Sequence, residues 1–459
     1  MSVDMQPGQD ASLSLQGYEP TEPAEPLKSF WGRYSTIIIL AIILIFAAFF
    51  RFYGRDFDQG TNQHPDERAI VDHTIPLAWP ASFNQLLDPT QSTLNLRVSS
   101  RYPWGALPVY VARGGAMLAD YFVSIFKPQL NGYYLHDYHG AQLVGRTMAS
   151  IFDLITILLV FLIARRLYST RTALIATALV AFSVTNIQIA HFYITEPFLV
   201  TFMMASLYFT VVLMQKPSWW AAVGAGAFLG FSVATKVSSA LIFVMIITAI
   251  ILRAGYRKQT RNLGAALGDP IGMKPASTRE RERSFWSHAI RGLRYFIIAA
   301  ILGVLAFAIT EPYALWQFDF SQFHAAPSAS QNLSESVKNL LLSNPWSRGI
   351  VEEAGTQGGS NANDVPYTRQ YVGTIPVLYH FEQLVFWGVG VVPGLVIIAG
   401  LLLAFWLALK RRPAELILLS FALPYFATIL VAETKWMRYM LPLVPVFCIL
   451  GAALLVRGA

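Results

Sequence analysis

The strongest constraint on this chain is a series of long apolar runs separated by polar connections. Each run has about 20 residues, the length of α-helix needed to cross the hydrocarbon core of a membrane. Charged residues make up only 13% of the chain, whereas a soluble globular protein carries roughly 25%. The sequence therefore predicts an all-α polytopic membrane protein with about ten transmembrane helices. The predicted spans are 35–50, 144–164, 172–191, 197–215, 219–234, 237–252, 293–310, 383–408, 414–432 and 437–456.

The distribution of basic residues sets the predicted orientation. Lys and Arg gather in RRLYSTR (165–171), in the loop 253–292 and in KRR (410–412). Cytoplasmic loops collect these residues, so all of these segments belong on the cytoplasmic side. This assignment holds only if 104–126 lies flat at the membrane interface. That segment is apolar and long enough to cross, but it carries an arginine, an aspartate and a pair of glycines.

The domain boundaries follow from this orientation. Residues 1–34 are polar and Pro-rich and lack the features of a cleaved signal, so we predict a disordered cytoplasmic tail. The transmembrane domain covers 35–459, with extracytoplasmic loops at 53–143 and 311–382 and the basic cytoplasmic loop at 253–292. The first of these loops is large and carries interfacial helices. We expect a multi-pass protein of the cell membrane. We expect no nucleic-acid partner, because the basic residues behind the net charge of +7 are explained by membrane topology.

A dense acidic stretch, RFYGRDFDQGTNQHPDER (51–68), follows directly on the first apolar run. Its carboxylates should lie close to the membrane surface, where ionisable groups invite a functional explanation. Asp66 and Glu67 come directly after Pro65. Proline at the first helical position, with acids facing the positive end of the helix dipole, is also an ordinary helix start. The sequence alone leaves both interpretations open.

Several other polar residues stand at predicted extracytoplasmic helix ends. Lys236 is either a phosphate contact or a lysine that extends to the bilayer edge. Arg438 is either a substrate contact or part of an aromatic belt. Glu196 is alternatively a helix start, and His191 an interfacial filler. We predict that these helix ends converge on one site. The candidate substrate-binding residues are His64, His191, Glu196, Lys236, Arg438 and Arg146.

Two further pairs of charged residues have structural explanations as well as functional ones. Arg146 and Asp153 share one face of the second span, which favours a structural polar lock over direct chemistry. Asp56 and Asp58 have the spacing of a divalent-metal pair, but no His or Cys cluster supports them. We therefore predict no cofactor, and a divalent metal remains the weaker alternative. Cys448 is the only cysteine, which excludes a disulfide within the chain.

The order of these motifs resembles the GT-C membrane glycosyltransferases. The residues that carry the resemblance are FYGRDFDQGTNQHPDER (52–68), the stretch from GRTMASIF to HFYITEP (145–197) and RYMLPLVP (438–445). The likeness is to the family 39 group, related to protein O-mannosyltransferases and lipid A aminoarabinose transferases. It implies a GT-C fold and a donor sugar carried on polyprenyl or dolichyl phosphate.

The resemblance also implies which residues act. In that family a carboxylate in the first outer loop acts on an acceptor hydroxyl, and this catalytic role falls on Asp66, with Glu67 beside it. The family's second acidic position is usually aspartate, and here it resembles Glu196. Some members carry a soluble C-terminal domain, whereas this sequence stops directly after VRG (456–458), so an abridged chain is one expectation.

The residue chemistry fits this reading. A well-placed general base contributes roughly 10²–10⁴-fold to a rate, and Lys236 and Arg438 would stabilise the phosphate that leaves the sugar. The predicted function is an inverting membrane glycosyltransferase that moves a sugar from a polyprenyl-phosphate carrier to an acceptor hydroxyl on the extracytoplasmic face. The alternatives are a polymerase or ligase of lipid-linked glycans with a pyrophosphate donor, and a secondary transporter or flippase, whose charges belong near mid-span.

Overall fold

The regular structure of the protein is helical. A computed structural model describes residues 30–98, 101–253, 278–316, 333–358, 366 and 368–458. Within these ranges there is no β-strand, so the predicted all-α class is confirmed. Most of the predicted tail 1–34 and of the basic loop 253–292 lies outside the described residues.

Among the described residues most helices are joined by short connections, and the longer segments 53–137 and 311–390 carry short helices of their own. In chain order they are α1 (Phe30–Phe52), α2 (Pro65–Thr74), α3 (Phe83–Leu87), α4 (Leu107–Phe126), α5 (Tyr133–His136), α6 (Tyr138–Leu167), α7 (Thr170–Ala181), α8 (Val184–Ala190), α9 (Glu196–Gln215), α10 (Trp219–Val233), α11 (Val237–Arg253), α12 (Thr278–Thr310), α13 (Pro312–Trp316), α14 (Leu333–Ser343), α15 (Pro345–Gly358), α16 (Pro376–Gln383), α17 (Val391–Leu409), α18 (Pro413–Leu430) and α19 (Val444–Gly458).

The predicted number of about ten crossings is not confirmed. Among the described residues, 7 helices are long and apolar enough to cross a membrane, or 8 if α7 and α8 form one bent span. The helices α10, α11 and α19 are apolar but shorter. A 15-residue helix such as α10 is about 22 Å long, less than the roughly 30 Å of a hydrocarbon core, which is why length alone does not count it.

Helix α4 is one of the helices that pass this test of length and composition, although we predicted that 104–126 lies at the interface. Its contacts favour the interfacial position. Asp56, which precedes α4 in the chain, contacts His139, which follows it, with Oδ1 and Nε2 2.7 Å apart. Both ends of α4 therefore connect to the same side of the structure, and only 11 residues separate Phe126 from the start of α6.

Small residues let the central helices approach closely. Gly226 and Gly230 of α10 are four residues apart and face α12, where a Cβ on Gly226 would overlap the backbone carbonyl of Ala299. A Cβ on Gly230 would overlap the carbonyl oxygen of Gly303 in the same way. This G-x-x-x-G spacing is typical of helix pairs in membranes, where close van der Waals packing replaces the hydrophobic effect.

A sharp bend of 55° separates α7 from α8. The Arg51 side chain, fully buried at the end of α1, donates hydrogen bonds to the carbonyl oxygens of Ala181 at 2.8 Å and Val180 at 3.5 Å. These carbonyls lie in the last turn of α7, where helical donors run out, although Val180 O also accepts a hydrogen bond from the Ser183 backbone N–H at 3.2 Å. Arg51 also pairs with Asp153 of α6 at 2.6 Å. The buried guanidinium thus fixes the bend that leads the chain to the 191–195 connection.

Candidate functional site

The acidic stretch folds as a tight loop followed by α2. The loop holds Gln59, Gly60 and Asn62 at positive φ, and a Cβ on Gly60 would lie only 3.1 Å from the His139 ring. Pro65 then begins α2, with Asp66 and Glu67 in its first turn. The residues form the helix start that the sequence suggested. Successive side chains on a helix point about 100° apart, so these neighbouring carboxylates face different surroundings.

Asp66 lies in a cluster of charges from four separate segments, which we call the outer cluster: Asp66, Glu196, Lys236 and Arg438. Arg438 Nη1 is 2.7 Å from Asp66 Oδ2, and Lys236 Nζ is 3.1 Å from Glu196 Oε1. The pairs are linked, because Arg438 Nε lies 3.9 Å from the same Glu196 oxygen. The predicted convergence of α2, α9, α11 and the segment before α19 therefore occurs in this structure.

The outer cluster is only partly open to solvent. The side chains of Asp66, Lys236 and Arg438 are 24%, 21% and 17% exposed, whereas that of Glu196 is 5% exposed. Asp66 is thus the carboxylate of this cluster that an incoming molecule can reach most easily. Aromatic rings form part of the wall, with Lys236 Nζ 4.6 Å from the centre of the Tyr439 ring.

The electrostatics of the cluster keep both cations charged. Burial lowers the pKa of Lys236, but the nearby Glu196 carboxylate outweighs burial and raises it. Burial likewise lowers the pKa of Arg438, and the charges of Glu196 and Asp66 reverse that shift. The cluster therefore offers two permanent positive charges near one accessible carboxylate.

His64 borders the cluster as a neutral side chain. Arg438 Nη1 lies 3.2 Å from His64 Nε2 and donates to it, so this nitrogen acts as an acceptor. Burial, followed by the positive charge of Arg438, lowers the pKa of His64 below its ordinary value of 6.5. Two buried nitrogens here, Arg438 Nε and His64 Nδ1, have no hydrogen-bond partner among the described residues.

Glu67 and Arg146, both predicted as site residues, belong to a separate buried ion-pair network. We call this network the buried lock: Asp58, Glu67 and Arg146. Arg146 Nε and Nη2 each lie 2.7 Å from an oxygen of Glu67, and Nη1 and Nη2 each lie 2.8 Å from an oxygen of Asp58. Gln142 and the backbone N–H of Tyr193 donate further hydrogen bonds to Glu67. All three charged side chains are fully buried.

This lock changes how Glu67 and Arg146 are interpreted. Since no part of either charged group is exposed, neither can contact a substrate in this conformation. Burial raises the pKa of Asp58, but hydrogen bonds from Arg146 and its charge bring the pKa down to about 2. Arg146 has a structural role, as the sequence favoured, but the predicted lock of Arg146 with Asp153 does not form. Its partners are loop carboxylates, and Asp153 pairs with Arg51 instead.

The remaining predicted residues lie outside the outer cluster. His191 has its ring nitrogens 2.7 Å from Ile187 O and 2.9 Å from Tyr53 O. Asp56 contacts His139 while Asp58 contacts Arg146, so the two aspartates serve different partners. Among the described residues, no group of three or more His, Cys, Asp and Glu side chains could hold a metal ion.

Sequence reasoning missed two buried ion pairs that support the site. Arg51 was placed at the start of the acidic stretch and given no partner, although it pairs with Asp153 of the second span. Arg97 Nη1 lies 3.2 Å from Glu311 Oε2, and the same arginine donates to Trp104 O at 2.6 Å. This second pair ties the long segment between α1 and α6 to the end of α12. No local pattern indicates it, because its partners are 214 residues apart.

Residues 138–272 match the profile of a family described as dolichyl-phosphate-mannose-protein mannosyltransferase. The matched part contains Glu196 and Lys236, but it begins after Asp66 and ends before Arg438. No curated protein matches the sequence.

Solved structures give a wider likeness. The chain is similar to the archaeal oligosaccharyltransferase AglB from Archaeoglobus fulgidus, in complex with an inhibitory peptide and a dolichol-phosphate, with a TM-score of 0.50 and 13% identity over 94% of this chain. This chain covers 51% of that protein's chain. It is also similar to ArnT from Cupriavidus metallidurans bound to undecaprenyl phosphate, with a TM-score of 0.49 and 16% identity, covering 92% of this chain and 60% of that one.

These findings confirm the resemblance that the sequence motifs suggested. The AglB match extends over nearly the whole of this chain and establishes the fold, while the family profile adds a sequence match within it. The chain is therefore similar to the GT-C membrane glycosyltransferases in fold and, over residues 138–272, in sequence.

Proposed function

We propose that this chain is an integral membrane glycosyltransferase that moves a sugar from a polyprenyl-phosphate carrier to an acceptor hydroxyl on the extracytoplasmic face. The observation that carries the proposal is the outer cluster. In it the accessible carboxylate of Asp66 lies within ion-pair distance of Arg438, and Glu196 links Arg438 to Lys236. General base and phosphate-binding cations are the two components that this transfer requires.

The proposed reaction is a single in-line displacement. Asp66 accepts the proton of the acceptor hydroxyl while the oxygen attacks the anomeric carbon of the donor sugar. The bond from that carbon to the phosphate oxygen breaks, and its electron pair stays on the carrier lipid phosphate. Because attack and departure occur on opposite faces, the anomeric centre is inverted. No covalent intermediate is involved.

Lys236 and Arg438 are proposed to hold the carrier phosphate. Both side chains stay positively charged and partly exposed, and arginine matches the oxygens of a phosphate with its planar fork of donors. The free Arg438 Nε supports this role, because a buried donor without a partner is costly unless a ligand satisfies it. The dolichol-phosphate bound to AglB further supports a lipid phosphate as the donor group.

Glu67, Asp58 and Arg146 are proposed to position Asp66. Their lock fixes the first turn of α2 against α6, and Asp66 is the neighbour of Glu67 in that turn. A base must be held close to the productive geometry for general-base catalysis to be effective. Glu67 therefore moves in this proposal from a catalytic role to a positioning role.

The test is the substitution Asp66→Asn, which keeps the shape of the side chain and removes its basicity. We expect the transfer rate to fall by about 100-fold or more, because a general base contributes roughly 10²–10⁴-fold. The assay supplies reconstituted protein with a panel of polyprenyl-phosphate sugars and measures sugar transfer and release of the lipid phosphate.

Asp72→Asn is the matched control, because Asp72 is an exposed acid on the same helix, six residues after Asp66, and forms no ion pair with the outer cluster. It should retain the wild-type rate. Full activity in Asp66→Asn would exclude Asp66 as the base. Release of a lipid pyrophosphate would indicate the polymerase or ligase alternative, and translocation without bond cleavage would indicate a transporter.

A further inference from the structure

A second polar cavity lies at the opposite helix ends from the outer cluster. It has a volume of about 220 Å³ and opens between the ends of α6, α9 and α19 and the start of α18. Helix α9 carries Glu196 of the outer cluster at its first residue and lines this cavity at its last, Gln215. Its 20 residues span about 30 Å, which is also the thickness of a hydrocarbon core. The cavity therefore lies at the other membrane surface.

Arginines dominate the polar lining of this cavity, which we call the arginine pocket: Arg166, Arg412 and Arg457, together with Tyr168, Gln215 and Glu415. The glutamate is buried, and its Oε1 accepts hydrogen bonds from Arg457 Nη2 at 2.7 Å and from the Tyr168 hydroxyl at 3.2 Å. Three positive charges and one negative charge leave the lining with a net charge of +2. The pocket therefore favours an anion.

Two of the arginines have guanidinium N–H groups that are available to a ligand. The side chain of Arg412 is exposed and makes no hydrogen bond or ion pair with any residue in the described ranges. Arg166 makes only long hydrogen bonds, at 3.3 Å to Gln215 Oε1 and 3.3 Å to the Tyr208 hydroxyl. Arg412 also precedes the first residue of α18, where the helix dipole adds positive potential.

The rest of the lining is apolar and joins a surface suited to lipid. Leu167, Met214 and Pro413 line the pocket beside the arginines. The end of α17, three residues before Arg412 in the chain, exposes Trp406 and Leu409 by 55% and 82%. A charged recess that opens onto an apolar surface fits a ligand with a phosphate at one end and hydrocarbon at the other.

We propose that the arginine pocket binds the phosphate head group of an anionic glycerophospholipid from the membrane leaflet opposite the outer cluster. Arg166 and Arg412 would donate paired hydrogen bonds to the phosphate oxygens, while the acyl chains lie along the apolar surface that leads away from the pocket. Basic pockets between the ends of transmembrane helices recognise such head groups, and the positive-inside rule assigns this face to the cytoplasm. This inference does not depend on the proposed transferase activity.

The test measures lipid binding by the purified full chain in detergent with native mass spectrometry. The probes are dioleoyl phosphatidylglycerol and dioleoyl phosphatidylcholine. We expect phosphatidylglycerol to bind the wild type at least about tenfold more tightly than phosphatidylcholine, and the double variant Arg166→Gln/Arg412→Gln to lose that preference. Neither side chain pairs with a buried charge, so the double variant should fold.

Arg165→Gln/Arg171→Gln is the matched control, because it removes two exposed charges from the same face outside the pocket. It should bind phosphatidylglycerol as the wild type does. Undiminished preference in the Arg166→Gln/Arg412→Gln protein would overturn the site. Complete displacement of phosphatidylglycerol by roughly 10 mM inorganic phosphate would overturn the lipid assignment in favour of a soluble phosphate.

Discussion

Asp66 and Glu67 are adjacent acids with opposite surroundings. Glu67 is fully buried and shares Arg146 with Asp58, whereas Asp66 faces the partly open outer cluster. Removing one partner from such a buried ion pair typically costs about 3–5 kcal/mol, because the other charge is left uncompensated. A loss of function after substitution of Glu67 would therefore report folding as much as chemistry. The sequence predicted that acids are important here, but not which acid is buried, since that depends on a partner 79 residues away.

His64 should make the stability of the protein sensitive to mild acid. Its pKa is lowered in the folded state by burial and by Arg438, so the unfolded chain binds more protons than the folded chain below the ordinary value of 6.5. Stability should be complete above that pH and should fall as the pH drops below it. Thermal unfolding at about pH 7.5 and about pH 5.5 measures this loss.

The variant His64→Gln isolates the contribution of His64, because glutamine can still accept from Arg438 but does not titrate. We expect the unfolding temperature of the wild type to drop more between the two pH values than that of the variant. Equal drops would mean that another group causes the sensitivity to acid.

At the scale of helices, the sequence predicted where the apolar segments lie but not how each one is shaped. Hydropathy identifies the run 172–191 as a single span, whereas the structure breaks it into α7 and α8 at a 55° bend. The bend depends on Arg51, which lies 130 residues before Ala181 in the chain and satisfies its carbonyl. Local patterns cannot report such a contact. The spacing of Gly226 and Gly230 matches the close packing of α10 on α12, but the sequence analysis did not use it.

Gly226→Ala tests this helix contact. A methyl group there would overlap the backbone of Ala299, and backbone atoms cannot move aside as the end of a flexible side chain can. We expect α10 and α12 to separate, with a loss of about 1–3 kcal/mol that appears as a lower unfolding temperature.

Gly114→Ala on α4 is the matched control, since a Cβ there would have no heavy atom within 4 Å. It should be neutral or slightly stabilising, because alanine favours helix over glycine by roughly 0.5–1 kcal/mol. If both variants unfold at the same temperature as the wild type, the close packing does not contribute to stability.

At the scale of the whole molecule, charge and hydropathy together predicted that one set of helix ends would carry the acids and the other the basic loops. The structure brings Asp66, Glu196, Lys236 and Arg438 together at one end and places the arginine pocket at the other. Orientation rules could predict this division because they depend on whole segments. They could not predict the contact of His64 with Arg438, whose partners are 374 residues apart.

Single cysteines test the topology that separates these two surfaces. Cys448 is fully buried, so we expect the native chain not to react with the labelling reagent. We expect Asn84→Cys and Asn131→Cys to react with a membrane-impermeant maleimide in intact cells, and Arg171→Cys to react only after permeabilisation. All of these positions are exposed.

Asn131→Cys decides the position of α4, because Asn131 follows that helix and Asn84 precedes it. Labelling of both from outside means that α4 does not cross the membrane. Labelling of Asn131→Cys only after permeabilisation would mean that α4 is a true span, and the orientation of the later helices would have to be reversed.

The pairing of each cation in the outer cluster with a resident carboxylate bears on turnover in the proposed reaction. Because Lys236 holds Glu196 and Arg438 holds Asp66, a donor phosphate that binds both cations would compete with these counter-ions. This competition would weaken binding of the donor, and it would equally weaken retention of the spent carrier. A phosphate on Arg438 would also free Asp66, so the readiness of Asp66 to take a proton would be tied to occupancy of the site. The same counter-ions would then return to their cations and help to expel the product.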